Sequence, residues 1–375
     1  MDSNEDSKVL LKGAVSGAAY TAPGYLIFAR EQTLMARAFD EANGVLSGET
    51  FSIAENVGLV RNQARSQFSV SATGVLAHLS SRAGNSDLLW FDRSGKRLGS
   101  LGPAGPYRQI VLSPDEKRVA VDRRGSSQPA DLWLVDLATG TPARFTFTPW
   151  GESEPVWSPD NTELVFSLEP DNGPTDIYRK PISGASDETR LFGTDGTDDP
   201  QDWSPDGRFI LYKTFTSKTR YDLWVLPLSG DRQPVAFLQT EADETQGDFS
   251  PDGRWVAYAS NESGNFEVYV RSFPLSGGKW QVSSAGGAQP KWRHDGAELF
   301  YVAPDRTLMA VGVKAGAAFQ HGVPHPLFKM GIDNFSSANR YAVASRGERF
   351  LVNTPSDTSP TPITIVLNWT ADVKR

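Results

Sequence analysis

The chain of 375 residues contains no cysteine. Disulfides, thiolate nucleophiles, zinc–thiolate centres and iron–sulfur clusters are therefore excluded. The compartment stays open, because cysteine-free chains are stable in either redox setting. Histidine is scarce: His78, His294, His321 and His325 are the only four. His321 and His325 stand four apart, but Gly322, Pro324 and Pro326 forbid the helix that would bring them onto one face. No apolar run approaches the roughly 18 residues that cross a bilayer, and stretches such as Ile363–Leu367 are strand-sized. The start, Met1 to Asp6, is acidic and polar and does not read as a signal peptide. The expectation is a cytoplasmic chain, or one whose targeting or membrane segment lies upstream. Basic residues are outnumbered, 37 to 45, giving a net charge of −8 and arguing against a nucleic-acid or anionic-membrane surface. Helical periodicity is absent as well.

What is present is repetition. An aromatic or apolar residue is followed by Ser-Pro-Asp, a turn residue and an apolar alternation. The phrase occurs at Leu112 to Asp115, Trp157 to Asp160, Trp203 to Gly207 and Phe249 to Gly253. Weaker copies begin at Tyr20, Val70, Trp292 and Val343. Anchored on the serine position, the copies fall at 21, 71, 113, 158, 204, 250, 293 and 344, a mean period of about 46. A period of 40–50 with strand patterning points to a propeller. Within one copy, Pro presets φ, Asp accepts backbone N–H groups and Gly takes a positive φ, so the phrase is a strand-to-strand turn. A β-rich run follows, such as Arg208 to Tyr212, then a second, such as Asp222 to Leu226, a Ser-Gly turn and a polar run. That makes four antiparallel strands per repeat.

Eight repeats account for the whole chain. The reading is one all-β domain over residues 1–375, an eight-bladed propeller of four-stranded antiparallel blades, with seven blades as the alternative. Its first blade pairs Tyr25–Phe28 with Leu34–Phe39. Its last pairs Arg349–Val352 with Ile363–Leu367. Residues 1–8 are expected to be disordered, and Val9–Lys12 to supply the outer strand of the last blade, closing the ring without an open edge.

These phrases resemble the TolB-like, WD40-like (PD40) propeller repeats of bacteria, over nearly the entire chain. Narrower phrases, among them Trp90 to Gly95, Asn261 to Gly264, Gly286 to Trp292 and Arg349 to Val352, resemble the propeller C-terminal to a transmembrane segment in many bacterial Ser/Thr protein kinases. The resemblance implies an extracytoplasmic or periplasmic sensing or interaction module. The chain has no kinase Gly-rich loop, His-Arg-Asp or Asp-Phe-Gly phrase. Fold alone does not dictate function.

The site argument rests on geometry. The first strand of each blade lines a propeller's channel. Positions four and two before each anchor therefore face the channel or its mouth. They supply Gln67, Gln109, Glu154, Gln246, Gln289 and Arg340, and then Asp202, Asp248 and Lys291. Arg65, Arg108 and Arg340 on the same rim favour an anionic group. The blander reading is that these side chains hold ordered channel water. The functional one is a ring that reads a small polar ligand or a partner protein. Asp115, Asp160, Asp206, Asp252 and Asp295 are read as caps of their own turns, and Trp157, Trp203, Phe249 and Trp292 as packing between blades.

Asp195, Asp198 and Asp199 form an acidic loop that lacks the spacing and distal Glu of an EF-hand. They are the weak candidates for Ca²⁺ in a chain otherwise expected to have no metal and no cofactor. No Gly-x-Ser-x-Gly elbow occurs. The reading is a non-catalytic binding module. The alternative is a carbohydrate lyase or hydrolase working in the channel.

Overall fold

The fold is described from a computed structural model. It covers residues 18–21, 24–30, 33–54, 57, 59–60, 65–71, 73–79, 85–124, 129–170, 173–316, 318–332, 338–344, 346–356, 363–367 and 369. Among these, every regular element is a β-strand. The described residues include no helix long and apolar enough to cross a membrane. The chain divides into two compact units, residues 84–357 and residues 1–83 with 358–375.

The larger unit holds six antiparallel sheets. Sheet 1 comprises Tyr107–Leu112, Arg118–Arg124, Ala130–Asp136 and Pro142–Arg144. Sheet 2 comprises Gly151–Trp157, Glu163–Glu169, Asp176–Pro181 and Thr189–Phe192. Sheet 3 is Thr197–Trp203, Phe209–Thr216, Arg220–Pro227 and Val235–Leu238. Sheet 4 is Glu244–Phe249, Trp255–Ser260, Glu267–Ser272 and Lys279–Gln281. In sheet 5, Ala288–Trp292 and Glu298–Val302 precede Thr307–Ala315, which pairs with both Phe319–His321 and His325–Lys329. Sheet 6 is composite: Tyr341–Val343 and Arg349–Pro355 are completed by Ser86–Asp92 and Arg97–Gly105.

The turns explain why this sequence makes these hairpins. In sheet 3 the Ser204 hydroxyl donates to Asp206 Oδ1 at 2.7 Å and accepts from Phe209 N at 2.9 Å. Asp206 Oδ1 also accepts from Arg208 N at 3.1 Å. The same bonds recur at Ser113, Ser158 and Ser250. The expectation that each Asp caps its own turn holds at all four. At the fifth turn Arg293 replaces serine and reaches Asp295 with Nε at 2.7 Å.

The core lies between sheets rather than within one. Trp255, Val268 and Val270 of sheet 4 pack on Trp292, Leu299 and Val311 of sheet 5. Equivalent layers join each neighbouring pair. Leu88, Leu101 and Leu351 of sheet 6 meet Ile110, Val119 and Val135 of sheet 1. The inner strands therefore touch in cyclic order, the sixth against the first. The aromatic before serine packs between sheets as expected. Trp157 Nε1 donates to Val111 O of sheet 1, and Trp292 Nε1 to Asp248 O of sheet 4, both at 3.1 Å.

The smaller unit has a four-stranded sheet of Ala19–Thr21, Tyr25–Arg30, Thr33–Asp40 and Val45–Ala54. It also has a three-stranded sheet of Phe68–Val70, Leu76–Leu79 and Ile363–Val366, and the pair Leu59–Val60 with Arg65–Ser66. Ile27, Leu34, Ala36 and Leu76 form its core, with Tyr25, Phe51 and Trp369 against it.

Two pairings correct the sequence reading. Arg349–Pro355 pairs with Ser86–Asp92, not with Ile363–Leu367. Ile363–Val366 pairs instead with Leu76–Leu79. The repeat anchored at Ser71 is thus divided between two sheets, and residues 84–357 carry six sheets rather than an equal share of eight. The physical reason is that a period fixes strand spacing but not partners, and both strand edges left at the ends of this unit are removed by pairing them together. The outer place in the sheet of Arg349–Pro355 belongs to Arg97–Gly105. Residues 1–8 and Val9–Lys12 lie outside the described residues.

Candidate functional site

Each of the first five inner strands of the larger unit carries an irregularity of register, and in three the bulged residue is left-handed. Glu154, Gln246 and Gln289 have φ of 52°, 57° and 54°. Bulges re-aim side chains. Here they turn the glutamines along the ring instead of into its centre. Gln201 Oε1 accepts from Gln246 N at 2.9 Å, Gln246 Oε1 from Gln289 N at 2.8 Å, and Gln289 Oε1 from Arg340 N at 2.8 Å. Gln246 and Gln289 are buried by this relay. Arg340 Nη1 continues it by donating to Arg108 O at 2.8 Å.

One charged group lies near the start of the inner strands. Arg108 faces Asp122 at 3.7 Å and Glu154 at 3.5 Å. Lys213 meets Asp199 at 3.3 Å, and Asp199 also accepts from Ser167 Oγ at 2.7 Å. Burial raises Glu154 above the ordinary carboxylate range, against the pull of Lys213 and Arg108. Gln109 N donates to Asp122 Oδ1, while the buried Gln109 Oε1 has no partner. Arg108 is the open member, its side chain 43% exposed.

A second group lies on the inner strands of sheets 3, 4 and 5. Asp202 Oδ2 accepts from Phe249 N at 2.6 Å, and Asp248 Oδ2 from Trp292 N at 3.0 Å. Lys291 pairs with Asp248. Burial, then the charge of Asp248, pushes Asp202 up to about 7. Burial pulls Lys291 down, but Asp248 and Asp202 outweigh it and the ammonium is kept.

Of the expected ring, the structure brings together Arg108, Gln109 and Glu154 in the first group. It brings Asp202, Asp248 and Lys291 together in the second, with Gln246, Gln289 and Arg340 along the relay. Arg65 and Gln67 belong to the smaller unit. Gln67 is exposed, with its backbone O accepting from Leu79 N at 3.0 Å. The sequence reading missed Asp122, Gln201, Lys213 and Asn353. Asn353 Nδ2 donates to Tyr107 O and Arg108 O at 3.0 and 3.1 Å. Three of these sit on second strands, and polar residues interrupting apolar runs were the available signal.

The acidic loop does not converge. Asp195 is exposed. Asp198 Oδ2 is taken by Thr194 N and Oγ1 at 2.7 and 2.8 Å, and Asp199 turns to Lys213. Among the described residues no three His, Cys, Asp or Glu side chains are placed to hold a metal ion. His321 and His325 sit on separate short strands, opposite Val313 and Ala310. His78 lies in the smaller unit and His294 in a turn.

No protein-family model and no curated protein matches the chain. Solved structures do. A TolB assigned in Agrobacterium tumefaciens superposes with a TM-score of 0.58 at 19% identity, covering 72% of this chain and 97% of that one. TolB from Acinetobacter baumannii gives 0.50 at 17%, covering 83% and 79%. An oligogalacturonate lyase from Vibrio parahaemolyticus gives 0.48 at 14%, covering 80% and 95%. The fold is that of a TolB-like β-propeller.

Proposed function

We propose that the chain is a non-catalytic binding module that takes a partner protein or a small polar ligand at the ring's Arg108 mouth. Its setting is extracytoplasmic, as the sensing part of a bacterial receptor kinase or as a free periplasmic protein. The observation that carries this reading is Arg108. It belongs to a group of two cations and three carboxylates in which the other four side chains are largely buried, and its own side chain is 43% exposed. The glutamines act as wall rather than as reader, since their amides hold neighbouring strands.

The test compares capture of envelope components from the source bacterium by wild type, Arg108→Gln and Lys117→Gln, all checked for equal melting. Lys117 is an exposed turn residue and serves as control. The reading expects a component lost with Arg108→Gln and retained with Lys117→Gln. Equal capture by all three proteins would overturn it.

A further inference from the structure

Three junctions between neighbouring sheets of the larger unit carry an acid pair repeated at the period of the fold. One acid stands near the start of a third strand: Asp131, Asp176 or Asp222. The other stands near the start of the next sheet's inner strand: Glu152, Asp198 or Glu244. The second set is buried to 1% exposure or less. A threonine four residues earlier, Thr148, Thr194 or Thr240, donates its hydroxyl to it.

Backbone and side-chain hydrogen bonds tie the neighbourhoods of the two acids together. Leu132 N donates to Thr146 Oγ1 at 2.9 Å, and that hydroxyl donates to Glu152 Oε2 at 3.2 Å. Asp198 N donates to Thr175 O at 2.9 Å. Asp222 Oδ2 accepts from Thr219 Oγ1, and from Gln239 Nε2 at 3.4 Å, the residue before Thr240.

The nearby cations are already committed. Arg144 is on Asp131 at 2.7 Å, Arg190 on Asp176 at 2.6 Å and Arg220 on Asp243 at 2.8 Å. Lys180 is on Glu188 at 2.9 Å, and Lys279 is on Glu262. Between sheets 3 and 4, Asp222 Oδ1 and Glu244 Oε2 are both buried without a hydrogen-bond partner. Ionised carboxylates are acceptors only, so two of them cannot satisfy each other. A proton on Glu244 would supply a donor that neither ionised carboxylate has.

We propose that Glu152 and Glu244 are kept as neutral carboxylic acids near neutral pH, with Glu244 Oε2 donating its proton to Asp222 Oδ1, so that these two junctions are proton-binding sites that weaken as pH rises. Burial pushes each glutamate up to about 7, against its threonine bonds. Asp131 and Glu188 face Glu152, and Asp222 and Glu262 face Glu244, all acting in the same upward direction. Tyr258, whose charge interacts with Glu244, Glu262, Arg271 and Tyr269, is itself held far above the ordinary range by burial and stays neutral. The junction between sheets 4 and 5 shows the alternative. There Gly287 occupies the second position, and Glu267 alone accepts from Gly286 N at 2.9 Å and from Ser283 Oγ.

The sign follows from linkage. A carboxyl whose folded value is about 7 against an ordinary 4.5 lends stability fully present below 4.5 and lost as pH rises to about 7. The test melts wild type and an E152Q/E244Q double variant between about pH 5 and 8.5. Infrared spectra of both follow the carbonyl band of protonated carboxyl groups. Wild type is expected to lose melting temperature across this interval, with a band that titrates near pH 7. The variant is expected to be flatter, at least as stable at pH 8, and weaker in that band. Parallel slopes, or no titrating band, would overturn the proposal. So would restoration of wild type at pH 8 by calcium over EDTA, which would make the junctions cation sites. If the double variant does not fold, the single variants E152Q and E244Q are each compared with wild type in the same two measurements, since buried Asp202 also rises to about 7 and contributes to the wild-type band.

Discussion

Gly247 shows how tightly a single position is specified. A Cβ there would come within 2.3 Å of Leu211 Cδ2 and 3.5 Å of Leu223 Cδ1, both in the neighbouring sheet. It follows Gln246, whose left-handed backbone opens the bulge. No side chain fits without moving the buried Leu211, and overpacking of this kind costs about 1–3 kcal/mol. Gly247→Ala is therefore expected to lower the denaturation midpoint by an amount in that range, measured by urea unfolding. The same change at Gly207, where the added carbon meets nothing within 4 Å, costs backbone strain alone.

At the scale of the element, the Ser-Pro-Asp turn is the unit on which each sheet is built. Asp160 collects Ser158 Oγ, Thr162 Oγ1 and Thr162 N at 2.6, 2.8 and 3.1 Å. These bonds, the serine's first, hold its carboxyl below the ordinary 3.8. Stability from a depressed carboxyl is present above the unfolded value and lost as pH falls through the folded one. Asp160→Ala is expected to cost on the order of 1 kcal/mol at pH 7, and its deficit against wild type to vanish well below pH 3.8, read by melting at both. This acid-side loss is opposite in sign to the one expected of Glu152 and Glu244, so melting curves can separate the two.

For the whole molecule, the closing sheet matters most. Sheet 6 joins strands from both ends of the larger unit, so its six inter-sheet layers are complete within residues 84–357. Residues 84–357 alone are expected to unfold in one cooperative transition by calorimetry, while a fragment ending at 338 is expected not to fold.

The turn phrase, the four-stranded unit and the packing of Trp157 and Trp292 were legible in the sequence, because local turn chemistry and apolar alternation encode them. The partner of Arg349–Pro355 was not, because any antiparallel strand of its length fits the same pattern. The site was legible only in part. Counting back from Ser250 or Arg293 finds Gln246 and Gln289, but not the bulges that turn them sideways. Lys213 and Asp122 lie where apolar second strands end, so a search restricted to first strands passes over them.

Ser356 N donates to Asn85 O at 2.9 Å, so the chain enters and leaves the larger unit at one point. Leu76–Leu79 and Ile363–Val366 form a hairpin whose loop is the about 280 residues between them. Closing so long a loop from a disordered chain costs roughly 3 kcal/mol more than closing a short one. Once the larger unit has folded, its joined ends shorten that loop to about a dozen residues. The two terminal segments are therefore expected to pair after the middle of the chain has brought them together.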